Sequence, residues 1–176
     1  TRMWDTVNDI RICPLMDIVD LTNKERALIG QMDEISGTID QRNEFLRSSG
    51  IYDAFADVYR SYARIDGFEA VKRSVFMLWY EQAEPPCFSG LSDLPTETSH
   101  LVIKKLEELI ETDQLDQEFR WMLPYYYSIT DWVFDDLYKC SDALKTVLTS
   151  NTDLWVTDLD KNKFTDRGIM GLYWSN

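Results

Sequence analysis

The chain is poor in the residues that most often carry nucleophilic or metal chemistry. It has one histidine, His100, and three cysteines, Cys13, Cys87 and Cys140, which lie far apart. An odd number of cysteines without a C-x-x-C pair predicts neither a disulfide framework nor a zinc site, and it favours a reducing compartment. Cysteine or serine catalysis would depend on His100 alone, and no G-x-S-x-G turn is present. We therefore expect no catalytic residues.

Basic residues are also scarce. The 18 lysines and arginines are outnumbered by 31 aspartates and glutamates, which gives a formal net charge of −13. This charge repels phosphate backbones and anionic lipid head groups, so we expect no nucleic-acid partner and no membrane partner. No apolar run approaches the roughly 18 to 20 residues that span a bilayer, and residues 1–4 do not open an apolar signal core. The sequence therefore predicts a cytoplasmic protein.

Glycine is scarce and dispersed, with seven residues in the chain. They form neither G-x-x-x-x-G-K-S/T nor G-x-G-x-x-G, so a glycine-rich nucleotide-binding loop is not predicted and we expect no cofactor. Hydrophobic residues, in contrast, make up 44% of the chain, which is enough for one sizeable core. We predict a single helical domain over residues 1–176, with an N-terminal segment (1–20), a helical core (21–149) and a C-terminal strap (150–176).

Within the core, apolar residues recur at intervals of three and four, which is typical of amphipathic helices. The capping-box spacing of Thr22 and Glu25 predicts that the first helix begins at Thr22, and Gly37 predicts a break in it. The segment after Phe68 is apolar nearly all round, so we expect a buried central helix there. Pro124 is expected in the first turn of a later helix. Together these patterns predict an all-α fold, a single-domain irregular bundle of about five to seven helices.

The residues after 150 follow a different pattern. Gly168 and Gly171 disfavour a long helix, and the polar turn before Phe164 is typical of a hairpin. We therefore predict a short C-terminal hairpin or irregular strap. Its large apolar side chains should pack on the helical body, because four such groups in solvent would promote aggregation. These side chains are Trp155, Phe164, Tyr173 and Trp174.

The densest cluster of like charge contains six acids and no base. Its members are Glu107, Glu108, Glu111, Asp113, Asp116 and Glu118. On a helix that begins near Thr96, the first three of these acids are expected to point outward. We predict that the six form a partner-binding surface for a basic protein. An acidic surface also keeps a protein soluble, and acids at a helix N-terminus complement its dipole, so a local structural role is the alternative.

Two further groups of residues are candidates for chemistry. Asp131, Asp135 and Asp136 form a D-x-x-x-D-D pattern, in which a regular helix places Asp131 and Asp135 on one face as weak candidates for Mg²⁺. A solvated helix face explains the same pattern, so we predict no metal site. An aromatic group spans more than one side of its helix and is a candidate ligand pocket, with core packing as the simpler explanation. Its residues are Trp121, Tyr125, Tyr127 and Trp132.

Three functions are compatible with these patterns. The first, which we favour, is a non-enzymatic acidic protein-binding domain, for example an inhibitor of the immunity-protein type that neutralises a basic partner. The second is a small-molecule or metal-binding helical enzyme that uses the Asp131, Asp135 and Asp136 region with the neighbouring aromatic residues. The third is a helical subunit of a larger assembly.

Overall fold

Every regular element in the structure is a helix. The computed structural model describes residues 16–150 and 160–176, and this part of the chain contains no strand. The all-α prediction is confirmed, whereas the predicted hairpin is wrong for residues 160–176, and residues 154–157 lie outside the described part. The α-helices are α1 (Ile18–Asp33), α2 (Ile39–Ser48), α3 (Ile51–Arg64), α4 (Phe68–Ala83), α5 (Pro86–Ser89), α6 (Thr96–Glu111), α7 (Gln117–Ile129), α8 (Asp142–Leu148) and α9 (Gly168–Ser175); a π-helix (Val133–Leu137) follows α7, and a 3₁₀-helix (Lys161–Phe164) precedes α9.

The described residues contain more helices than predicted, because breaks divide the apolar patterns into shorter pieces. The predicted break at Gly37 is confirmed: its φ is +119°, which side chains other than glycine avoid, and α1 ends before it. Thr38 then begins α2 with a capping box, in which the Thr38 hydroxyl accepts from the Gln41 amide and the Gln41 side chain accepts from the Thr38 amide. Among the helices described, none combines the length and the apolar content needed to cross a membrane.

The first helix does not begin where the sequence predicted. It starts at Ile18, and the Asp17 carboxylate accepts from two amides of the first turn at 2.8 and 2.9 Å. Thr22 lies inside the helix, where its hydroxyl donates to the Ile18 carbonyl at 2.7 Å. Glu25 is only 1% exposed and bonds to groups in the core. The capping-box prediction is therefore wrong, because Asp17 supplies the cap and Glu25 has its partners in the interior.

Pro124 also lies at an unexpected position, inside α7. The prediction that it starts a helix is wrong, because Asp116 begins α7 and accepts from an amide of the first turn at 2.8 Å. α7 ends at Ile129, its C-cap residue Thr130 has a φ of −140°, and the chain continues into the π-helix. Asp131 precedes the π-helix and Asp135 lies within it, so the two do not belong to one continuous α-helix.

The central helix of the fold is α4, as its apolar sequence predicted. Its residues 70–79 are all buried, and it packs against α3, α5, α6, α7 and α9. Two of these buried residues, Lys72 and Arg73, are charged and only 5% exposed. Because an isolated buried charge is costly, both require partners. Lys72 pairs with Asp116 and Glu118 at the start of α7. Arg73 pairs with Glu69 of α4 and also donates to groups on α1, on α3 and in the C-terminal residues.

The C-terminal helix packs on aromatic side chains of the body. The Tyr173 ring of α9 lies 5.5 Å from the Trp79 ring of α4, centroid to centroid. The prediction that C-terminal aromatic residues pack on the body is confirmed for Phe164, Tyr173 and Trp174. The fourth, Trp155, lies outside the described residues.

Candidate functional site

Three of the six clustered acids face the protein's own body. A Glu107 side-chain oxygen accepts from the Ser141 amide at 2.8 Å, next to the start of α8. Asp116 caps α7 and pairs with Lys72 at 2.5 Å, and Glu118 pairs with Lys72 at 2.9 Å. The expectation that Glu107 points outward is therefore wrong, because α8 packs against α6 and its N-terminal end requires acceptors.

The other three acids of the cluster, Glu108, Glu111 and Asp113, form no ion pair with a buried base in the described residues and are exposed, as is the outer part of Asp116. Glu108 lies 3.8 Å from Lys104, and Asp113 lies 2.7 Å from Arg120, in ion pairs whose members are all exposed. Because such pairs contribute about 0 to 1 kcal/mol each, a basic partner can replace them at little cost. Glu108, Glu111 and Asp113 are thus the exposed acids of the predicted partner-binding surface that are not bound to a buried base within the described residues, and binding itself stays a prediction.

The carboxylates of Asp131, Asp135 and Asp136 do not converge. Asp131 accepts from the next backbone amide at 2.8 Å, and Asp136 is exposed. Asp135 pairs with Lys145 and accepts from the Tyr127 hydroxyl at 2.8 Å, and hydrogen bonds from Lys145 and Tyr127 hold its pKa below the ordinary value of 3.8. Within the described residues, no three metal-ligating side chains come together. The weak candidates for Mg²⁺ therefore do not form a cluster.

α8 connects the two groups of acids. It packs against both α6 and α7. The amide of its N-cap residue Ser141 bonds to Glu107 of α6, while its Lys145 pairs with Asp135 of the π-helix. Asp142, the first residue of α8, is exposed. α8 therefore links Glu107 of the clustered acids to Asp135 of the D-x-x-x-D-D pattern.

The four candidate pocket aromatics are divided between the interior and the surface. Trp121 and Tyr125 both pack on Trp174 of α9, with ring centroids 4.8 Å apart in each pair. Tyr127 lies beside the π-helix, and Trp132 is 43% exposed. Two of the four thus help to bind α9, and the other two lie beside the π-helix.

The sequence patterns did not predict an internal polar network that holds the C-terminal residues. Glu25 accepts hydrogen bonds from the Tyr62 hydroxyl and from the Ile169 amide, the latter at 2.6 Å. Arg73 donates to the Thr22 hydroxyl at 2.6 Å and to the Tyr62 hydroxyl at 3.0 Å. Burial raises the pKa of Glu25 above its ordinary value, although the two hydrogen bonds to it oppose that shift.

Arg167 forms the second half of this network. Its guanidinium donates to both oxygens of Glu69, each at 2.7 Å, and to both oxygens of Glu118 at 2.6 and 3.0 Å. Burial alone would raise the pKa of Glu118, but hydrogen bonds from Arg167 and Lys72 outweigh it and hold that pKa below 4.5. Bidentate, charge-assisted bonds of this kind fix geometry strongly, so Arg167 joins the C-terminal residues to α4 and α7.

One signal in the sequence could have revealed the network. Leu21, Leu28 and Met32 form the buried stripe of α1, and Glu25 lies on the same stripe at helical spacing. Lys72 and Arg73 similarly interrupt the apolar residues of α4. A charged residue at a core position requires a buried partner, so each of these positions predicts a polar contact even where the partner cannot be named.

Two of the cysteines and the histidine lie in different environments. Cys87 is fully buried, whereas His100 is exposed and its ring lies 5.7 Å from that of Tyr138. Burial raises the pKa of the Cys140 thiol, which disfavours the reactive thiolate. Cys13 lies outside the described residues.

Comparisons of this chain with protein-family models, with curated proteins and with solved structures gave no match. We therefore infer its function from the exposed acids and the polar network.

Proposed function

We propose that this protein is a non-enzymatic acidic domain that binds and neutralises a basic protein, in the manner of an immunity-type inhibitor. The supporting observation is that α6, α8 and the residues around the π-helix each carry exposed carboxylates, and that α8 packs against both α6 and α7. A surface that carries charge of one sign attracts a partner with charge of the opposite sign and speeds the association of the two proteins. The acids concerned are Glu108, Glu111, Asp113, Asp131, Asp136 and Asp142.

Internal ion pairs do not remove the surplus of negative charge. In the described residues they join nine acidic side chains to nine basic ones. Equal numbers cancel, so the formal net charge of −13 is carried by side chains outside these pairs. A basic partner would compensate charges that the protein's own bases leave uncompensated.

Exposed apolar side chains accompany these acids. Ile129, Trp132 and Leu137 lie close in sequence around the π-helix and are 49%, 43% and 46% exposed. Large aromatic side chains commonly anchor protein interfaces by filling pockets, while charges at the rim steer and orient the partner. The partner that suits this surface is a protein with basic side chains around an apolar pocket.

Charge reversal on α6 and its following turn tests the proposal. The variant replaces Glu108, Glu111 and Asp113 by lysine. We expect a partner captured from a lysate of the source cell to associate with this variant about tenfold more slowly than with the wild type, because electrostatic steering is lost. Surface plasmon resonance at low and high salt measures the rate, and the variant should also depend less on salt.

A matched control reverses the same number of charges elsewhere. Asp33, Glu34 and Glu44 are exposed on α1, at its end and on α2, and their replacement by lysine changes the net charge equally. This control should keep most of the wild-type association rate. If both variants slowed association to the same extent, only net charge would matter, and equal rates for all three proteins would remove the electrostatic model.

The apolar anchor has a different kinetic signature. Trp132→Ala should speed dissociation by about tenfold or more and change the association rate little, because buried contacts act mainly on dissociation. A dissociation rate equal to that of the wild type would place the interface elsewhere on the protein.

A further inference from the structure

The N-terminus of α9 rests on a buried carboxylate. The Ile169 amide donates to Glu25 at 2.6 Å, and Arg167, the N-cap residue of α9, provides no side-chain cap. Gly168 has a φ of +61°, and a Cβ at this position would overlap the Glu25 carboxylate. Glu25 of α1 therefore supplies, from a distant part of the chain, the anion that a helix N-terminus favours.

Residues 160–176, which we call the C-terminal clasp, make their other polar contacts with the body mainly through charged groups. Arg167 binds Glu69 and Glu118, and the Asp166 carboxylate pairs with Arg26. The Arg167 side chain is 13% exposed, so its desolvation costs free energy that its ion pairs only partly offset, whereas Arg26 and Asp166 are exposed and their pair contributes little. These ion pairs therefore stabilise the closed clasp by less than their number suggests.

Beyond its tight contact with Glu25, α9 borders open cavities next to α1. Leu172 of α9 is 46% exposed and, together with Ile29 of α1, lines two open cavities of about 280 Å³ each. Tyr173 and Trp174, in contrast, pack on the aromatic rings of α4 and α7. A helix of eight residues is not stable alone in water, so α9 depends on these contacts to stay folded.

We propose that the clasp opens and closes as one unit while α1 to α8 remain folded. Opening returns the Glu25 carboxylate to water and restores conformational freedom to the clasp residues, and both changes favour the open state. It also uncovers an aromatic surface formed by Phe76, Trp79 and Tyr126, which are at most 1% exposed in the closed state. The clasp is therefore a lid over an aromatic surface of α4 and α7.

Native-state hydrogen exchange of the full chain, followed by mass spectrometry, tests this proposal. We expect the openings that expose the α9 amides to be at least about tenfold more frequent than the openings that expose the α4 amides. All the α9 amides should share one opening frequency, because the clasp opens as a unit. Equal frequencies in α9 and α4 would mean that the clasp opens only with the whole fold. A frequency that rises gradually toward Asn176 would mean simple fraying, and either result would overturn the proposal.

Gly168→Ala provides a directed perturbation. Its Cβ overlaps Glu25 and its positive φ disfavours alanine, so the opening frequency of α9 should rise at least about tenfold while α3 and α4 keep theirs. Gly50→Ala is the matched control, because Gly50 has a φ of +76° but its Cβ would meet no atom within 4 Å. This control should leave the exchange of α9 unchanged. A uniform rise throughout the Gly168→Ala protein would show that the clasp is not separable.

Arg167→Lys supplies a second variant without any steric overlap. Lysine keeps the charge but cannot bind two carboxylates with paired hydrogen bonds, so α9 should open several times more often than in the wild type. Unchanged exchange of α9 in this variant would show that the ion pairs do not hold the clasp closed.

Discussion

Gly90 offers a direct test of how closely the core is packed. It follows α5 with a φ of +75°, in the left-handed region. A Cβ at this position would lie 2.6 and 2.9 Å from two ring carbons of Phe55 and 2.7 Å from the sulfur of Met32. Phe55 is fully buried and Met32 is 7% exposed, so neither side chain can withdraw into solvent. Gly90→Ala should therefore be strongly destabilising.

Two costs add in this variant. The left-handed conformation costs an L residue about 1 to 2 kcal/mol. Overpacking of the core costs about 1 to 3 kcal/mol more. The reduced freedom of the unfolded chain returns about 0.4 to 1 kcal/mol. We expect the free energy of unfolding to fall by about 1 to 4.5 kcal/mol, a large fraction of the total for a typical domain.

Gly50 separates the two costs. Its φ of +76° matches that of Gly90, but a Cβ added to Gly50 would have no atom within 4 Å. Gly50→Ala therefore carries the conformational cost without the overpacking, and we expect a loss of about 0 to 1.5 kcal/mol. The difference between the two variants isolates the contact with Phe55 and Met32.

Urea unfolding at neutral pH, followed by tryptophan fluorescence and far-ultraviolet circular dichroism, measures both variants. Coincident transitions in the two signals would justify a two-state analysis. Equal losses for Gly90→Ala and Gly50→Ala would refute the reasoning, because they would show that the core around Phe55 has room for a methyl group.

Three further predictions concern single carboxylates. Glu107→Ala should lower the free energy of unfolding by about 1 kcal/mol, because the Ser141 amide loses its acceptor, and faster exchange of that amide by NMR would localise the effect. The lowered pKa of Glu118 means that its contribution to stability is present above pH 4.5 and is lost as the pH falls through its folded value; Arg167→Met should reduce this acid-dependent loss in urea unfolding. The pKa of Glu25 is raised, so the pH dependence is reversed: the contribution of Glu25 to the free energy of unfolding is present below pH 4.5 and is lost as the pH rises through the pKa of Glu25 in the folded protein. Glu25→Gln should remove this pH dependence from urea unfolding measured between about pH 4 and pH 8.

Helices and breaks whose conformation is decided by residues close in sequence were predictable. The buried α4 followed from an apolar run that covers every side of a helix. The break before α2 followed from Gly37, whose positive φ does not fit a helix. In both cases the deciding interactions lie within one or two turns of chain, which is the distance that periodicity and propensity describe.

Elements that depend on distant contacts were not predictable in the same way. Thr22 and Glu25 have the spacing of a capping box, yet Glu25 binds the amide of Ile169, far along the chain. Pro124 lacks an amide donor, but it is buried in α7, so packing of that helix outweighs the missing hydrogen bond. Sequence spacing identifies such residues as unusual without identifying what they contact.

The acidic surface could be predicted only in part for a related reason. Composition reveals the surplus of acids, but neighbouring residues on a helix point about 100° apart, so the packing of other helices decides which acids remain exposed. Glu107 and Glu108 illustrate this, since Glu107 meets the start of α8 while Glu108 stays in solvent.

The acids of this protein therefore divide into two sets with different consequences. Glu25, Glu69 and Glu118 are bound by arginine, lysine, tyrosine or backbone donors inside the fold, and their loss should change folding or the state of the clasp. Glu108 and Glu111 are exposed, and their reversal should change association with a basic partner without changing stability much. If reversal of the exposed acids unfolded the protein, or loss of the internal ones left its stability intact, this division of roles would be wrong. The two sets thus allow binding and folding to be perturbed separately in the same chain.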